Sequence, residues 1–345
     1  MVCTILNSQD HCQLREPACE PAWLNPQMIV FLLAGQRLPR PASCDARDLP
    51  QLGLMFDSET IWLPDDVQAL RGAYLRSEMS HSARRLWPDV EICTAIGSTN
   101  STLMALGEGA AGRCLITEYQ FGGRGRRGRR WLSPVGQNLC FSLGLQIPGS
   151  LDRVEGLSLV VGLAVADALL TAGVPGIQLK WPNDLVVMMA DDGYAKLGGI
   201  LVELQSQREQ CTAVLGIGLN LGGATAARSG LDTSLADIAE LLPAVNRSEM
   251  LVAVLNALAD YLENFLVQGF APMKEAWNEL HAFHGRDVRL HSGSATGGDQ
   301  GLGQTLSFGT VLGVGDNGTL LLRTKEGQEI EVGAGEVSLR LGKHS

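Results

Sequence analysis

Between Cys93 and Leu221 near-continuously apolar runs (CLITEY from 114, NLCFSLGL from 138, LGGILVEL from 197 and CTAVLGIGLNL from 211) alternate with two helical segments, one opening at Ser98 and one covering 154–172. Runs of this kind read as strands buried under helices, so the pattern predicts an α/β or α+β domain built on one sheet. In QLKWPNDLVV, over 178–187, a Pro-Asn-Asp turn follows an apolar strand start. Its polar residues are expected at a sheet end, which is where ligands bind.

Flanking segments have a different texture. WLPDDVQALRGAYLRSE, over 62–78, predicts a helix after Pro64 with acidic residues in its first turn. Residues 247–283 predict two helices, the first with Leu251, Val254, Leu255, Leu258, Leu262 and Phe265 at i, i+3, i+4 spacing. Past Gly285 five short runs (RDVRLH, FGTVLGV, GTLLLRT, QEIEVG, EVSLRL), punctuated by Asp316-Asn317-Gly318 and Glu326-Gly327, predict the hairpins of a small β-barrel. The Gly/Ser/Thr stretch from Ser292 to Thr305 is expected to be a mobile loop. The first 60 residues carry six prolines and four of the cysteines and show no convincing period of 3.6 or 2.0, so no function is assigned to them. The expected division is an N-terminal segment at 1–60, a main domain at 61–284 and a barrel at 285–345. Met28 and Met55 leave the start of translation open.

Composition narrows the class. With 345 residues, 45% hydrophobic and 19% charged, the chain buries a real core. A net charge of -10 opposes general affinity for nucleic acid or anionic membrane, so any anion site must be a local basic patch. No C-x-x-C pair occurs among the eight cysteines, and the polar opening MVCTILNSQDHCQ is not a secretory signal. Both point to a reduced, cytoplasmic setting. The apolar stretch Gly156–Val174 carries Asp167 and reads as a buried helix rather than a membrane span.

That local patch is Gly122-Gly123-Arg124-Gly125-Arg126-Arg127-Gly128-Arg129-Arg130-Trp131, five arginines and four glycines in ten residues after a strand. Glycines let the backbone approach a ligand closely, and guanidiniums offer fixed forks of donors to phosphate and carboxylate oxygens. A nucleic-acid patch, a solvated loop and a lid over a phosphate-bearing small ligand all remain open on this segment alone. Ser98-Thr99-Asn100 could simply cap a helix, Gln120 end a strand, Asn220 form a turn, and Lys180 lie along the Trp181 indole.

In order and spacing, however, STN at 98, EYQ at 118 followed by the arginine loop, KWPND at 180, KLGGILVE at 196 and GIGLN at 216 resemble the biotin protein ligase family. The match is close over residues 94–221 and weaker in the barrel, where GEVSLR at 335 resembles the family's closing strand. The resemblance implies a mixed-sheet ligase core of the class II synthetase-like, biotin/lipoate ligase type with an SH3-like C-terminal barrel. It implies that Ser98, Thr99, Asn100, Gln120, Gly123 and Gly216 bind biotin, with Arg124, Gly125 and Arg126 over the ligand. Lys180 would contact the biotin carboxylate and the α-phosphate, acting in catalysis with Arg124 and Arg126. Arg127, Arg129, Trp131, Asn183, Asn220 and Arg340 would belong to the ATP site.

It implies ATP, biotin and Mg2+, with metal ligands unassigned, and transfer through a biotinyl-adenylate to a lysine of a biotin carboxyl carrier protein. The expected acceptor is that of acetyl-CoA carboxylase. A homodimer stays open. Some family members are also operon repressors with a winged helix; here the equivalent region is proline-rich and lacks two amphipathic helices joined by a short turn, so DNA binding is not expected. A lipoate or octanoate protein ligase and a DNA-binding regulator remain the competing readings. The loop is expected to be mobile until ligand closes it, and the Lys180 and Arg126 side chains to face the ligand rather than the core.

Overall fold

The computed structural model describes residues 21–149, 151–190, 193–207, 210–223, 234–243, 245–292, 305–333 and 337–341. The stretch expected to be a mobile loop falls on 293–304, outside these residues, as do Cys3, Cys12 and Cys19.

The proline-rich start does contain elements. Helix α1 (Pro26–Leu33) begins with Pro26 in its first turn and Asn25 Oδ1 accepting the Met28 N–H at 3.0 Å. Strands β1 (Leu38–Pro39), β2 (Met55–Phe56) and β3 (Thr60–Trp62) form a small sheet in the order β1-β3-β2. These strands are two or three residues long, too short to show a period. Leu24, Ile29, Leu49 and Ile61 share one buried cluster with Ala95, Tyr119 and Val135 of the main domain. The segment is thus packed onto that domain, at the root of the arginine loop.

Helix α2 (Gly72–Glu78) starts later than the expected turn after Pro64. The Leu70 N–H donates to Glu118 Oε1 at 2.6 Å and the Arg71 N–H to Ser248 Oγ at 3.0 Å, so side chains from elsewhere take backbone groups that an earlier helix would have used. Helix α3 (His81–Leu86) follows, capped by Ser80.

The main sheet contains β4 (Asp89–Ile96), β5 (Arg113–Gln120), β6 (Leu139–Pro148), β7 (Ile177–Lys180), β8 (Asp184–Met188), β9 (Tyr194–Gln207) and β10 (Gln210–Leu219) in the order β4-β5-β6-β10-β9-β8-β7. Only β4 and β5 run parallel; the other pairs are antiparallel, which makes the core a mixed sheet of the α+β kind. Between β4 and β5 lies helix α4 (Thr99–Ala105), and helix α5 (Leu157–Thr171) covers the sheet with eleven of its fifteen residues buried while Asp167 is exposed. After the short α6 (Ile238–Leu241), helix α7 (Arg247–Gln268) packs along α5, α2 and α3. Its length and apolar composition would suffice for a membrane span, but here its apolar stripe, including Leu251, Leu255, Leu258 and Leu262, closes the core of this domain.

Helix α8 (Lys274–Glu279) leads into five antiparallel strands, β11 (Asp287–Ser292), β12 (Thr305–Val314), β13 (Leu320–Thr324), β14 (Glu329–Val332) and β15 (Val337–Leu341), ordered β14-β13-β12-β11-β15. This small SH3-like domain rests on the hairpin between β7 and β8: the Trp181 indole N–H donates to the Gly318 carbonyl at 3.1 Å.

One buried ion pair joins the layers. Arg247, 8% exposed at the start of α7, meets Glu118, 6% exposed on β5, at 2.8 Å. The same guanidinium donates to the carbonyls of Gln68 and Asn138. Replacing Arg247 with Met strands the Glu118 carboxylate and should cost about 3–5 kcal/mol. Urea unfolding of the variant measures this; a loss under ~1 kcal/mol would show that the pair does not anchor the layers.

Candidate active site

Two polar clusters meet on the sheet beneath the arginine loop. The first is built on the start of α4. Ser98 is its N-cap, with Oγ accepting the Ser101 N–H at 3.3 Å. Gln120 Oε1, at the end of β5, accepts from the Thr99 N–H at 2.9 Å and its hydroxyl at 3.2 Å. Ser142 Oγ on β6 lies 2.7 Å from Thr99 Oγ1 and 2.6 Å from Asn100 Oδ1, within hydrogen-bond distance of both. Asn100 Nδ2 donates to the Leu201 carbonyl and to Glu203. Ser98, Thr99, Asn100, Gln120 and Ser142 are all buried, so the cluster is a pre-positioned set of donors and acceptors. Gly216 is required below it: a Cβ there would lie 2.2 Å from Asn100 Oδ1.

The second cluster is cationic. The hairpin turn between β7 and β8 places Lys180 and Asp184 side by side, 3.1 Å apart. Lys196, opening the motif on β9, reaches the other Asp184 oxygen at 2.5 Å. Burial alone would raise the Asp184 carboxyl, but the Lys196 and Lys180 ammoniums outweigh it and hold it well below the usual carboxylate range. Lys180 lies deeper than expected, 5% exposed, with its ammonium aimed at Asp184 and over the Tyr194 ring. Asn183 donates to the Ile200 carbonyl at 2.9 Å and accepts from Arg126 at 3.2 Å. Asn220 donates to the Lys196 carbonyl at 3.2 Å.

The arginine loop bridges the clusters. Its ends pair at Arg124 and Arg130, and the Gly125 N–H donates to the Arg129 carbonyl at 2.7 Å. At its tip Arg127 adopts φ +59°, left-handed backbone that a non-glycine residue rarely takes, next to Gly128 at +69°. Arg124 donates to Ser101 at 2.9 Å and pairs with Glu203 at 3.3 Å. Burial, with the charges of Arg127 and Arg129 against it, lowers the Arg126 pKa. Trp131 lies over Gly218, where a Cβ would come within 2.5 Å of the indole, and under the Lys196 ammonium. A cleft of about 260 Å3 opens beside Gln120, Arg130 and Trp131, with Asp48 and Gln51 of the N-terminal segment on its wall.

The biotin-side residues implied by the motifs (Ser98, Thr99, Asn100, Gln120, Gly123, Arg124, Gly216) therefore converge, as do Arg126, Lys180, Trp131, Asn183 and Asn220 on the other side. Gly125 is half-buried in the loop, and Arg127 and Arg129 are exposed on it. Arg340 stands on β15 opposite Arg289; its side chain lies outside the described residues. Asp184, Lys196 and Glu203 sat inside the quoted motifs without a role. Ser142 had no local signal, because a serine in NLCFSLGL becomes informative only once β6 is set against α4.

Comparison with known proteins agrees with this geometry. The model of the biotin/lipoate A/B protein ligase family matches residues 95–220, and that of the biotin protein ligase C-terminal domain matches 291–340. The bifunctional ligase/repressor BirA of Escherichia coli is 31% identical over 81% of this chain and 80% of its own length. The chain belongs to the biotin protein ligase family. A biotin–[acetyl-CoA-carboxylase] ligase of Paracoccus denitrificans is 34% identical over 68% of this chain and 93% of its own. The biotin protein ligase of Aquifex aeolicus, solved in complex with biotin and ATP, superposes with a TM-score of 0.59 at 26% identity, covering 74% of this chain and all of that one. This member of the family is accordingly an enzyme with a mixed-sheet ligase core and an SH3-like terminal domain.

Behind Lys180, the backbone of 280–282 pairs with Leu179: the Leu179 N–H donates to the Leu280 carbonyl at 2.7 Å and the Ala282 N–H to the Leu179 carbonyl at 2.9 Å. His281, 4% exposed, packs at a tilt against Trp277 with ring centroids 4.7 Å apart. Burial, reinforced by the charges of His284 and Lys180, lowers its pKa to about 3. Unfolded, it returns to about 6.5, so between these values the unfolded chain binds the extra proton. Stability should then fall as pH drops from about 6.5 toward 3, by up to ~1.4 kcal/mol per pH unit. His281→Phe should remove that slope; urea titrations of the two proteins that stay parallel from pH 7 to 5 would contradict a neutral buried imidazole.

Proposed function

We propose that this enzyme condenses biotin with ATP to biotinyl-5'-AMP and then passes biotin to a lysine of the biotin carboxyl carrier protein of acetyl-CoA carboxylase. The observation that supports it best is the meeting, under one arginine loop, of a buried neutral hydrogen-bonding cluster and a group of cations. The first cluster suits the ureido ring of biotin: Thr99, Asn100 and Gln120, with Ser98 at the helix cap, offer donors and acceptors in fixed geometry. The second suits the meeting of a carboxylate with a triphosphate.

A carboxylate is a poor acyl donor. Its oxygen attacks the α-phosphorus of ATP, a mixed anhydride forms, and pyrophosphate leaves with the electron pair of the broken P–O bond. Two anions must approach for this, and Lys180, Arg126 and Arg124 offset their repulsion and the charge growing on the phosphoryl oxygens. Asn183 accepts from Arg126 and fixes it beside the cation cluster, Trp131 and Asn220 flank the nucleotide side, and Arg127, Arg129 and Arg340 are assigned to ATP. A magnesium ion would arrive with ATP and supply neutralisation of phosphate charge; among the described residues no group of three His, Cys, Asp or Glu side chains could hold one unaided. The carrier amine then attacks the anhydride carbonyl and AMP departs, while a closed loop excludes water. Arg127 in left-handed backbone beside four glycines gives that loop its capacity to rearrange.

The name of the E. coli relative includes a repressor role. In this chain the described N-terminal residues form one eight-residue helix and a small sheet packed on the ligase core, so the proposal does not extend to operator binding.

Pyrophosphate exchange into ATP, run with biotin, lipoate, octanoate and no acid, tests the reading. Exchange dependent on biotin is expected; exchange with lipoate or octanoate would move the substrate, and none with any acid would remove the enzymatic reading. Lys180→Gln and Arg126→Ala should each lower the biotin-dependent rate per folded molecule by ~10²-fold or more; Arg126→Ala should leave the unfolding midpoint little changed, whereas Lys180→Gln also removes one of the two ammoniums paired with Asp184 and should lower it. A variant that unfolds yet keeps its rate per folded molecule would refute its assigned role.

A further inference from the structure

We propose that Ser142 and Glu203 are positioning residues that give the Thr99–Asn100 cluster one fixed proton direction, and that this direction selects acids whose head group presents N–H donors. The inference rests on the biotin reading above and deepens it. Biotin carries two ureido N–H groups, whereas the dithiolane of lipoate and the alkyl end of octanoate carry none.

Strand register brings the participants together. Ser142 on β6, Gly216 on β10 and Leu201 on β9 stand in one row across the sheet, and Glu203, two residues along β9, lies on the same face. Glycine in the middle of that row leaves the space that the Asn100 amide fills, since a Cβ on Gly216 would overlap Asn100 Oδ1. Asn100 Nδ2 reaches the Leu201 carbonyl at 3.2 Å and Glu203 Oε2 at 2.9 Å, and its Oδ1 meets Ser142 Oγ at 2.6 Å.

Proton counting sets the direction. A backbone carbonyl and a carboxylate only accept, so the NH2 side of Asn100 faces Leu201 and Glu203 and its Oδ1 faces Ser142. Oδ1 also only accepts, so the single Ser142 proton goes to it. Ser142 Oγ is then an acceptor for the Thr99 hydroxyl, 2.7 Å away. That contact takes the Thr99 proton in preference to Gln120 Oε1, which lies 3.2 Å from the hydroxyl and already receives the Thr99 N–H. The relay runs from Thr99 through Ser142 and Asn100 to Glu203, and it leaves Thr99 Oγ1 to accept from a donor on the ligand. Because Thr99 is buried, a head group without that donor would strip its oxygen of water and return no hydrogen bond. At the far end Glu203 pairs with Arg124, which also donates to Ser101 at 2.9 Å, so the relay is fastened to the arginine loop.

The test is calorimetric titration of the protein, without ATP, with biotin and with its cyclic-carbonate analogue, in which oxygen replaces both ureido N–H groups at nearly unchanged shape. The parent should prefer biotin by ~10²-fold or more. Ser142→Ala releases the Thr99 proton from the relay, so it should raise the biotin Kd about tenfold and narrow the preference over the carbonate by a similar factor. Glu203→Leu should act in the same sense, and Glu203→Gln, which keeps an acceptor for Asn100, should recover most of the loss. One relay can be broken only once, so the Ser142→Ala/Glu203→Leu double variant should bind biotin within about twofold of the weaker single variant. Equal weakening of both ligands would overturn the proposal, because that is what loss of packing alone produces. Unchanged affinities in Ser142→Ala, or losses that multiply in the double variant, would overturn it as well. If the parent binds neither ligand, the biotin reading itself fails and this proposal falls with it.

Discussion

The site depends on one partly buried carboxylate shared by two ammoniums. A chain with net charge -10 gathers its cations locally, and Lys180, Lys196 and Arg126 would repel one another if nothing stood between them. Asp184 lowers that cost without cancelling the field, because one negative charge faces two positive ones. The two ammoniums hold its carboxyl well below the usual carboxylate range, so it is ionised at neutral pH. The field is thus fixed before ligand arrives, the condition under which electrostatic stabilisation of a transition state costs no reorganisation.

The rest of the architecture positions that trio. A hairpin supplies Lys180 and Asp184 from adjacent strand ends, a bulge rotates Lys196 toward them, and segment 280–282 and the Trp181–Gly318 contact brace the hairpin from behind. The neutral cluster is held differently, through α4, β5 and β6, with the Glu118–Arg247 pair locking β5 to α7. Two polar clusters of opposite character are therefore built on one sheet, with the arginine loop bridging them. Positioning by strands and helices is what a constellation accurate to fractions of an ångström requires.

Much of this was legible in the sequence because the informative residues are local. The strands at 114, 138, 197 and 211, the helices opening at Ser98 and covering 154–172, and the five strands past Gly285 stand where apolar runs and turn residues placed them. Of the residues in the motifs, Thr99, Asn100 and Gln120 form one cluster and Lys180, Arg126 and Asn183 another. What stayed hidden was non-local. The helix expected after Pro64 begins at Gly72 because Glu118 and Ser248, remote in sequence, take the backbone groups before it. Ser142 and the pairing of Lys196 with Asp184 depend on strand order and on a one-residue bulge, neither of which leaves a periodic trace. The N-terminal elements are too short for a period and are held by burial against Ala95, Tyr119 and Val135.

The most direct test of the whole account is native mass spectrometry of the protein after incubation with biotin and ATP. A bound species one biotinyl-5'-AMP heavier than the free chain, absent when either substrate is withheld and greatly diminished in Lys180→Gln, is the predicted result. A protein that retains biotin and ATP separately without forming the adenylate, or that forms it equally well without Lys180, would contradict the claim that this shared-carboxylate cation site drives the reaction.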